Sequence, residues 1–172
     1  YEKQNNSWQS TWGSGSLNFN IGYTLSMNSD GSIFALGSQT GKQVYIYDYS
    51  NETATLRNSI TTNSNYTTVS LNSDGTILAV GIPYVQNSQN ILTGIVRVFE
   101  YNGSSWIQIG SDIESNNTDL NDGFGYKVDI NADGTIVCVG AIYQDGPDGN
   151  DSNIGLCEIY KYNGSSWNKM GQ

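Results

Sequence analysis

The acidic and amide side chains near the C-terminal end of the chain are the residues best suited to chemistry. One loop of seven residues contains Asp145, Asp148, Asn150 and Asp151. Their oxygen atoms are of the kind that Ca²⁺ prefers, so a loop that folded back on itself could bind a hard cation. The same composition, rich in Asp, Asn, Gly and Pro, is also typical of a solvated loop built from turns. The sequence leaves both interpretations open.

Enzymatic chemistry finds little support in the residue types. The chain contains no His, so neither a Ser–His nor a Cys–His pair can activate a nucleophile. A glycosidase needs two carboxyl groups in different environments. No sequence context that would raise a pKa surrounds Glu2, Glu52, Glu100 or Glu114. We therefore predict a non-enzymatic protein and keep a fragment of a propeller-type glycosidase as the most distant alternative.

Composition and charge limit the partners that the chain can have. The 172 residues carry a net charge of −9, and the seven Lys and Arg residues are scattered singly. Nucleic-acid binding needs clustered basic residues, so we expect no nucleic-acid partner. No apolar run approaches the roughly 18 residues that a membrane span requires. Asn, Ser and Thr replace Lys and Glu on the expected surface, which favours an extracellular, cell-surface or virion protein.

A segment of ten residues occurs three times, and it determines the expected architecture. The copies are residues 28–37, 72–81 and 131–140, each built on Asn-x-Asp-Gly followed by an apolar run. A segment repeated every 40 to 60 residues or so predicts a repeat protein. Short segments rich in β-branched and aromatic residues flank each copy, which is typical of β-strands. Each repeat then contains four strands.

The apolar patterns predict how the four strands are covered. Residues 77–80 and 136–139 are apolar at every position, so the second strand of a repeat must be buried on both faces. An antiparallel four-stranded sheet with neighbours on both faces is a β-propeller blade. We predict one domain, residues 1–172, with blade units at 13–60, 61–110 and 111–172. Residues 1–12 are expected to form the last strand of a preceding blade.

About three blades are too few to close a propeller ring, which usually has about four to eight. The chain is therefore expected to be covered at both ends, by further blades of a longer polypeptide or by copies of itself.

The turn between the first two strands has a defined conformation. Asn at its start and Gly at its end suit a type I turn closed by a residue at positive φ. Gly31, Gly75 and Gly134 occupy that closing position in the three copies. A residue without a Cβ is favoured there, so we predict that these glycines are structural.

Tryptophan and cysteine also occupy repeated positions. Trp8, Trp106 and Trp167 fall at the same place in successive units, which favours packing between blades, although rings repeated in this way also stack on sugars in lectins. Cys138 and Cys157 replace small apolar residues of the other copies. We expect both in the core of one blade, as free thiols or as a cross-strand disulfide.

Residues 122–141 resemble the FG-GAP repeat, the blade unit of integrin-α-type β-propellers. Phe124-Gly125 matches the first element of that motif, and Val139-Gly-Ala141 matches part of the second. The resemblance covers essentially the whole chain in three copies of falling quality. It implies binding or assembly, with ligands held on loops at one end of the propeller.

The resemblance also implies a possible calcium site, because many FG-GAP turns bind calcium through an Asp-x-Asp/Asn-x-Asp-Gly pattern. Only the third copy approaches that pattern, with Asp129, Asn131 and Asp133. Ser26 and Ser70 stand where the first carboxylate should be in the other copies. We therefore expect that no cofactor is needed to hold the blades together.

These observations combine into one functional prediction with one main alternative. We predict a structural, non-enzymatic module for surface or virion assembly and adhesion through protein–protein contacts. The alternative is a glycan-binding lectin of the propeller type. In both cases the ligand is expected on the loops at residues 84–93 and 145–151, which should project from the same end of the molecule.

Overall fold

The computed structural model describes residues 2–4, 7–9, 20–115, 122–145 and 153–171, and only the backbone of the first two segments. All of the regular elements in these residues are β-strands. No described helix has the length and hydrophobicity needed to cross a bilayer. In chain order the strands are β1 (Glu2–Gln4), β2 (Ser7–Gln9), β3 (Ile21–Met27), β4 (Ile33–Ser38), β5 (Gln43–Ser50), β6 (Thr53–Thr61), β7 (Thr68–Leu71), β8 (Ile77–Ile82), β9 (Ile95–Tyr101), β10 (Trp106–Gln108), β11 (Ile113–Glu114), β12 (Phe124–Ile130), β13 (Ile136–Ala141), β14 (Leu156–Tyr162) and β15 (Trp167–Met170).

Three antiparallel sheets make up the body of the molecule, and we number them along the chain. In each sheet we call the strand that comes first in the chain the inner strand, and the strand that comes last the outer strand. The first sheet has the order β3-β4-β5-β6, and the third has the order β12-β13-β14-β15. The second sheet has the order β7-β8-β9-β10, with β11 also paired to β9 as a continuation of the outer strand. The second sheet therefore extends to Glu114, beyond the unit boundary expected at residue 110.

The N-terminal segment differs from the single strand expected at residues 1–12. Strands β1 and β2 pair antiparallel, so this segment contains a two-stranded hairpin. Lys3 lies opposite Trp8 in that hairpin, as Tyr101 lies opposite Trp106 in the second sheet. The hairpin thus has the register of β9 and β10, the third and fourth strands of the second sheet. The placement of the Trp8 side chain falls outside the described residues.

The turn between the first two strands of each sheet has the expected conformation. Asn72 Oδ1 accepts a 2.9 Å hydrogen bond from Ile77 N, and Asp74 Oδ1 accepts one of 2.9 Å from Thr76 N. Gly75 has φ 74°. The same bonds recur at Asn28, Asp30, Asn131 and Asp133, and Gly31 and Gly134 both have φ 76°. These side chains close the turns, and the glycines permit the backbone conformation.

The hydrophobic core consists of two layers, each between neighbouring sheets. The first layer includes Ile33, Val44, Val69, Val80 and Trp106. The second layer includes Val98, Phe124, Ile130, Val137 and Val139. Burying one such aliphatic or aromatic side chain contributes about 1.5 to 3 kcal/mol. The second sheet contributes to both layers, so β8 is covered on both faces, whereas the first and third sheets each contribute to only one.

The two repeated tryptophans that the structure describes both pack between sheets. Trp106 is buried in the first layer. Trp167 packs against the second layer, and its Nε1 donates a 3.0 Å hydrogen bond to the carbonyl oxygen of Ile109. Each ring also lies against a tyrosine of its own sheet, Tyr101 or Tyr162. Packing therefore accounts for the recurrence of tryptophan at this position.

The two cysteines do not lie in the core, and that prediction is wrong for this chain. Cys138 is half-buried and Cys157 is exposed, and both thiols are free with their Sγ atoms 3.1 Å apart. The corresponding residues of the second sheet, Ala79 and Val96, are fully buried. The difference arises because the third sheet covers the second, while no described sheet covers the opposite face of the third. The positions are core positions only where another blade follows.

Candidate functional site at the tyrosine-lined end

Tyrosines from all three sheets meet at one end of the molecule. This is the end at which the first strand of each sheet begins and the second strand ends. Tyr23 lies in β3 and Tyr126 in β12, on inner strands of the first and third sheets. Tyr66 precedes β7, Tyr84 follows β8 and Tyr143 follows β13. We call these five residues the tyrosine cluster.

The rings of the tyrosine cluster contact one another as a chain. Tyr23 OH donates a 3.1 Å hydrogen bond to Tyr126 OH, which joins residues of the first and third sheets. Tyr23 packs edge-to-face on Tyr66 with ring centroids 5.5 Å apart, and Tyr66 packs similarly on Tyr84 at 5.4 Å. Tyr126 and Tyr143 have centroids 6.2 Å apart. Edge-to-face pairs of this kind are favourable beyond their buried area.

The phenol groups of Tyr23 and Tyr84 are neutral at physiological pH. Burial, followed by the hydrogen bond with Tyr126, raises the pKa of Tyr23 far above its usual value. Burial also raises the pKa of Tyr84, and the nearby phenols of Tyr143 and Tyr126 add to that effect. These two residues therefore present aromatic surface and uncharged hydroxyl groups, which suit hydrogen bonding and ring contact with a ligand.

An unusual backbone conformation places Tyr66 in the cluster. Tyr66 has φ 59°, in the left-handed region that bulky residues rarely adopt. Glycines occupy the matching positions of the other sheets, where Gly22 has φ 84° and Gly125 has φ 85°. The second repeat thus holds an aromatic side chain where its neighbours hold none. Strained residues of this kind concentrate at functional sites, so the substitution of Tyr for Gly is a signal present in the sequence.

A pocket of about 240 Å³ lies beside Tyr66 and Tyr84. Its remaining lining residues are polar: Lys42, Asn63, Ser64 and Asn65. Ser64 Oγ donates a 2.8 Å hydrogen bond to the carbonyl oxygen of Tyr84, which fixes one wall. Asn65 Oδ1 is buried and has no hydrogen-bond partner among the described residues.

Exposed apolar side chains border the cluster on the third sheet. Tyr143 is 42% exposed, Ile142 is 38% exposed and Ile154 is 59% exposed. A Cβ at Gly123 would lie 3.3 Å from the Tyr143 ring, so the glycine lets that ring pack close to the backbone. The cluster therefore continues into an apolar rim, which we define as Ile142, Tyr143 and Ile154.

The loop that the sequence offers as a cation site is only partly described. Asp145 Oδ1 accepts a 2.8 Å hydrogen bond from Asn153 N, which closes the base of the loop. Asp148, Asn150 and Asp151 lie outside the described residues, so a calcium site there stays a prediction. The loop begins two residues after Tyr143, at the same end of the molecule as the tyrosine cluster.

The other candidate cation ligands serve the turn and the packing of the sheets. Asp129 Oδ1 accepts a 2.9 Å hydrogen bond from Ser70 Oγ of the second sheet. Asn131 Oδ1 and Asp133 Oδ1 each accept hydrogen bonds from backbone amides of the turn. In the described part of the chain, no cluster of three or more His, Cys, Asp or Glu side chains could hold a metal ion. A cation site at these three residues, one of which is an asparagine, stays a prediction.

One further glutamate, Glu158, is buried in the third sheet, and its sequence context does not reveal this. Tyr160 OH donates a 2.5 Å hydrogen bond to Glu158 Oε2, and Lys169 forms an ion pair with the same carboxylate. Burial, followed by this hydrogen bond, raises the pKa of Tyr160. Glu158 lies opposite Val139 on the face that packs against the second sheet. Its partners and its position give it a structural role.

Comparisons with known proteins give the class of the fold and no family. No family profile matches the chain, and no curated protein matches it significantly. Similar solved structures include a candidate 6-phosphogluconolactonase from Bacteroides fragilis, with 15% identity and a TM-score of 0.57, covering 86% of this chain and 37% of that protein. Sqt1 from Saccharomyces cerevisiae has 11% identity and a TM-score of 0.57, covering 88% of this chain and 34% of that protein.

The structural neighbours and the sheet arrangement together define the fold. The chain is an all-β, partial β-propeller whose three sheets are its blades. It spans 37% and 34% of the lengths of the two proteins named above. At identities of 15% and 11%, this similarity concerns the fold and not the activity.

Proposed function

We propose that this chain is a non-enzymatic β-propeller module that binds a protein partner through its tyrosine-lined end, in surface or virion assembly and adhesion. The observation that carries the proposal is the convergence of tyrosines from all three blades at that end. Repeat proteins commonly use one end or face as a binding surface while the repeated core holds the scaffold.

The chemistry of this end suits a protein ligand. Tyrosine offers a large apolar ring and one hydroxyl group, and it loses little conformational entropy on binding. Aromatic residues are accordingly enriched in interfaces between proteins. The apolar rim adds aliphatic surface beside the rings. The net charge of −9 would speed the approach of a partner with a basic surface.

An extracellular location is part of the proposal. Asn51, Asn102 and Asn163 are exposed, and each begins an Asn-x-Ser/Thr sequence that can accept a glycan. The composition, rich in Asn, Ser and Thr, agrees with that location. Labelling of intact source cells or particles with a membrane-impermeant reagent should modify the protein, and labelling only after lysis would contradict the proposed location.

Glycan binding is a second candidate, and the pocket beside Tyr66 and Tyr84 favours it. Its lining combines aromatic rings with the amide groups of Asn63 and Asn65, which can hydrogen-bond sugar hydroxyls. This candidate places the ligand in the pocket instead of across the tyrosine cluster and the apolar rim. The relationship to FG-GAP propellers stays a prediction in either case.

Selection from a random peptide library, run beside a glycan array, tests the two candidates. We expect the chain to enrich related peptides, and we expect Tyr143→Ala to lose them because that ring links the cluster to the apolar rim. Ile107→Ala is a matched control, since Ile107 is also exposed but lies on β10, an outer strand. Glycan binding lost in Asn65→Ala, without peptide enrichment, would replace the proposal with the lectin alternative.

A further inference from the structure

The outer faces of the first and third sheets carry exposed apolar side chains. On the first sheet, Leu25 is 68% exposed and shares one face with Met27 on the same strand and with Leu56 on β6, at the opposite edge of the sheet; both are also exposed, and we call this the back face. On the third sheet, Ile159 is 43% exposed and lies opposite Cys138; we call this the front face. Exposed patches of this kind usually mark an interface.

Neighbouring sheets meet twice inside the chain, and we call each of these contacts a junction. The two junctions show what a covered face requires. At the first junction, a Cβ on Gly37 would overlap the carbonyl oxygen of Thr67 in the next sheet. At the second junction, a Cβ on Gly81 would overlap the carbonyl oxygen of Gly125. Each second strand therefore has a glycine where the inner strand of the following sheet comes closest.

The inner strands add one polar contact at each junction. Ser26 Oγ accepts a 2.8 Å hydrogen bond from Leu71 N, and Ser70 Oγ accepts one of 3.2 Å from Ile130 N. Each bond joins a side chain of one sheet to a backbone amide of the next sheet. A junction thus consists of a glycine and a hydrogen-bond acceptor on one sheet, which meet the backbone of the inner strand of the next sheet.

Both halves of this junction recur at the open faces. The front face carries Gly140 at the position of Gly37 and Gly81, and Asp129 at the position of the two serines. A Cβ on Gly140 would meet no described atom closer than the Lys127 Cβ at 3.5 Å, so none of the described residues requires the glycine. The back face offers the inner strand β3, where Gly22 has φ 84° and open space around it.

We infer that the front face of the third sheet packs on the back face of the first sheet of a second copy. The two faces are complementary halves of the contact that the chain already forms twice. Two copies joined head to tail through two such contacts would place the six sheets formed by β3 to β15 of the two copies in one ring, within the usual range of about four to eight blades. Asp129 would then accept a hydrogen bond from the backbone amide of Met27 in the second copy.

The inferred contact also explains the positions of the cysteines. Cys138 matches the buried Ala79, and Cys157 matches the buried Val96. In a single copy these thiols are half-buried and exposed, respectively. The second copy would cover both. Alkylation of the thiols is therefore a reporter of the contact that does not depend on molecular mass.

Sedimentation equilibrium on the 172-residue chain and on Gly140→Ala tests the inference. The added methyl group makes only ordinary contact within one copy, and Gly140 is outside the left-handed region, so the variant should fold. It should clash with the inner strand of a second copy. Gln89→Ala, in an exposed loop of the second sheet, is the control. Circular dichroism and thermal melting verify that the variants are folded.

We expect the parent chain and Gln89→Ala to sediment at twice the chain mass of 18.7 kDa, and folded Gly140→Ala at the single mass. Iodoacetamide should modify Cys157 at least tenfold faster in Gly140→Ala than in the parent. A parent chain of single mass at millimolar concentration would overturn the inference. So would a folded Gly140→Ala that keeps the double mass, or equal rates of Cys157 alkylation in the two proteins. A parent chain that sediments at larger multiples of the chain mass would also overturn the inference, because it would indicate an open chain of copies.

Discussion

Ser70 Oγ donates a 2.9 Å hydrogen bond to Asp129 Oδ1, and these residues lie at the same position of neighbouring repeats. The same hydroxyl oxygen accepts a hydrogen bond from Ile130 N. The polar side of an inner strand therefore faces the next blade, and solvent reaches the apolar side of β3, where Leu25 lies. Polar bonds near the inner strands and apolar layers farther out together hold the blades in place.

Ser70→Ala should destabilise the fold, because it removes both hydrogen bonds that join the second and third sheets at this point. We expect a loss of about 1 to 3 kcal/mol in the free energy of unfolding, since the bond to the Asp129 carboxylate is lost and Ile130 N keeps only its 3.1 Å bond to Asp129 Oδ1. Urea denaturation measures the change. Ser104→Ala, in an exposed turn, should change the free energy far less. Equal stability of the two variants would contradict this role.

Gly81→Ala should force the second and third sheets apart, because the new methyl group would overlap the carbonyl oxygen of Gly125. Overpacking of this kind costs about 1 to 3 kcal/mol. A lower midpoint in urea would follow, with the fold retained in circular dichroism. If Gly81→Ala unfolds at the same midpoint as Gln89→Ala, the close approach of the two sheets is wrong.

Stability should fall in acid because of the turn aspartates. The hydrogen bonds that Thr76 donates hold the pKa of Asp74 below its usual value, and the corresponding bonds lower the pKa of Asp30 and Asp133. A lowered pKa in the folded state stabilises the protein above the unfolded pKa of about 3.9. That stability is lost as the pH falls through the folded pKa. Asp74→Asn should reduce the slope of melting temperature against pH below about pH 4.

Stability should also fall at alkaline pH because of the tyrosine cluster. Burial and the bond to Tyr126 raise the pKa of Tyr23, so the folded state favours the neutral phenol. This contribution is fully present below the unfolded pKa of about 10 and is lost as the pH rises toward the folded value. Tyr126→Phe removes the hydrogen bond and should lower the pKa of Tyr23. Absorbance titration of tyrosinate in both proteins would show this shift, and identical curves would refute it.

The scaffold is predictable from the sequence because its determinants are local and repeated. Asn72 and Gly75 mark the turn by residue type alone, and the unbroken apolar run of β8 reveals that both faces are covered. Packing of Trp106 follows from its repeated position. Such patterns need no knowledge of distant contacts.

The tyrosine cluster and the state of the cysteines could not be predicted in the same way. Tyr23 and Tyr126 are 103 positions apart, and only the stacking of blades joins them. The match between Tyr66 and the glycines of the other repeats was the one available signal. The prediction for Cys138 is wrong because its burial depends on a neighbouring blade that the repeat pattern assumes and that is not among the described sheets.

The affinity of a selected peptide for three forms of the chain tests the central claim most directly. Isothermal titration would compare the parent, Tyr143→Ala and Ile107→Ala, two variants that each remove an exposed apolar side chain. We expect Tyr143→Ala to weaken binding by at least tenfold, which corresponds to about 1.4 kcal/mol, and Ile107→Ala to bind as the parent does. Unchanged binding by Tyr143→Ala, or a loss in Ile107→Ala alone, would show that the tyrosine-lined end is not the binding face.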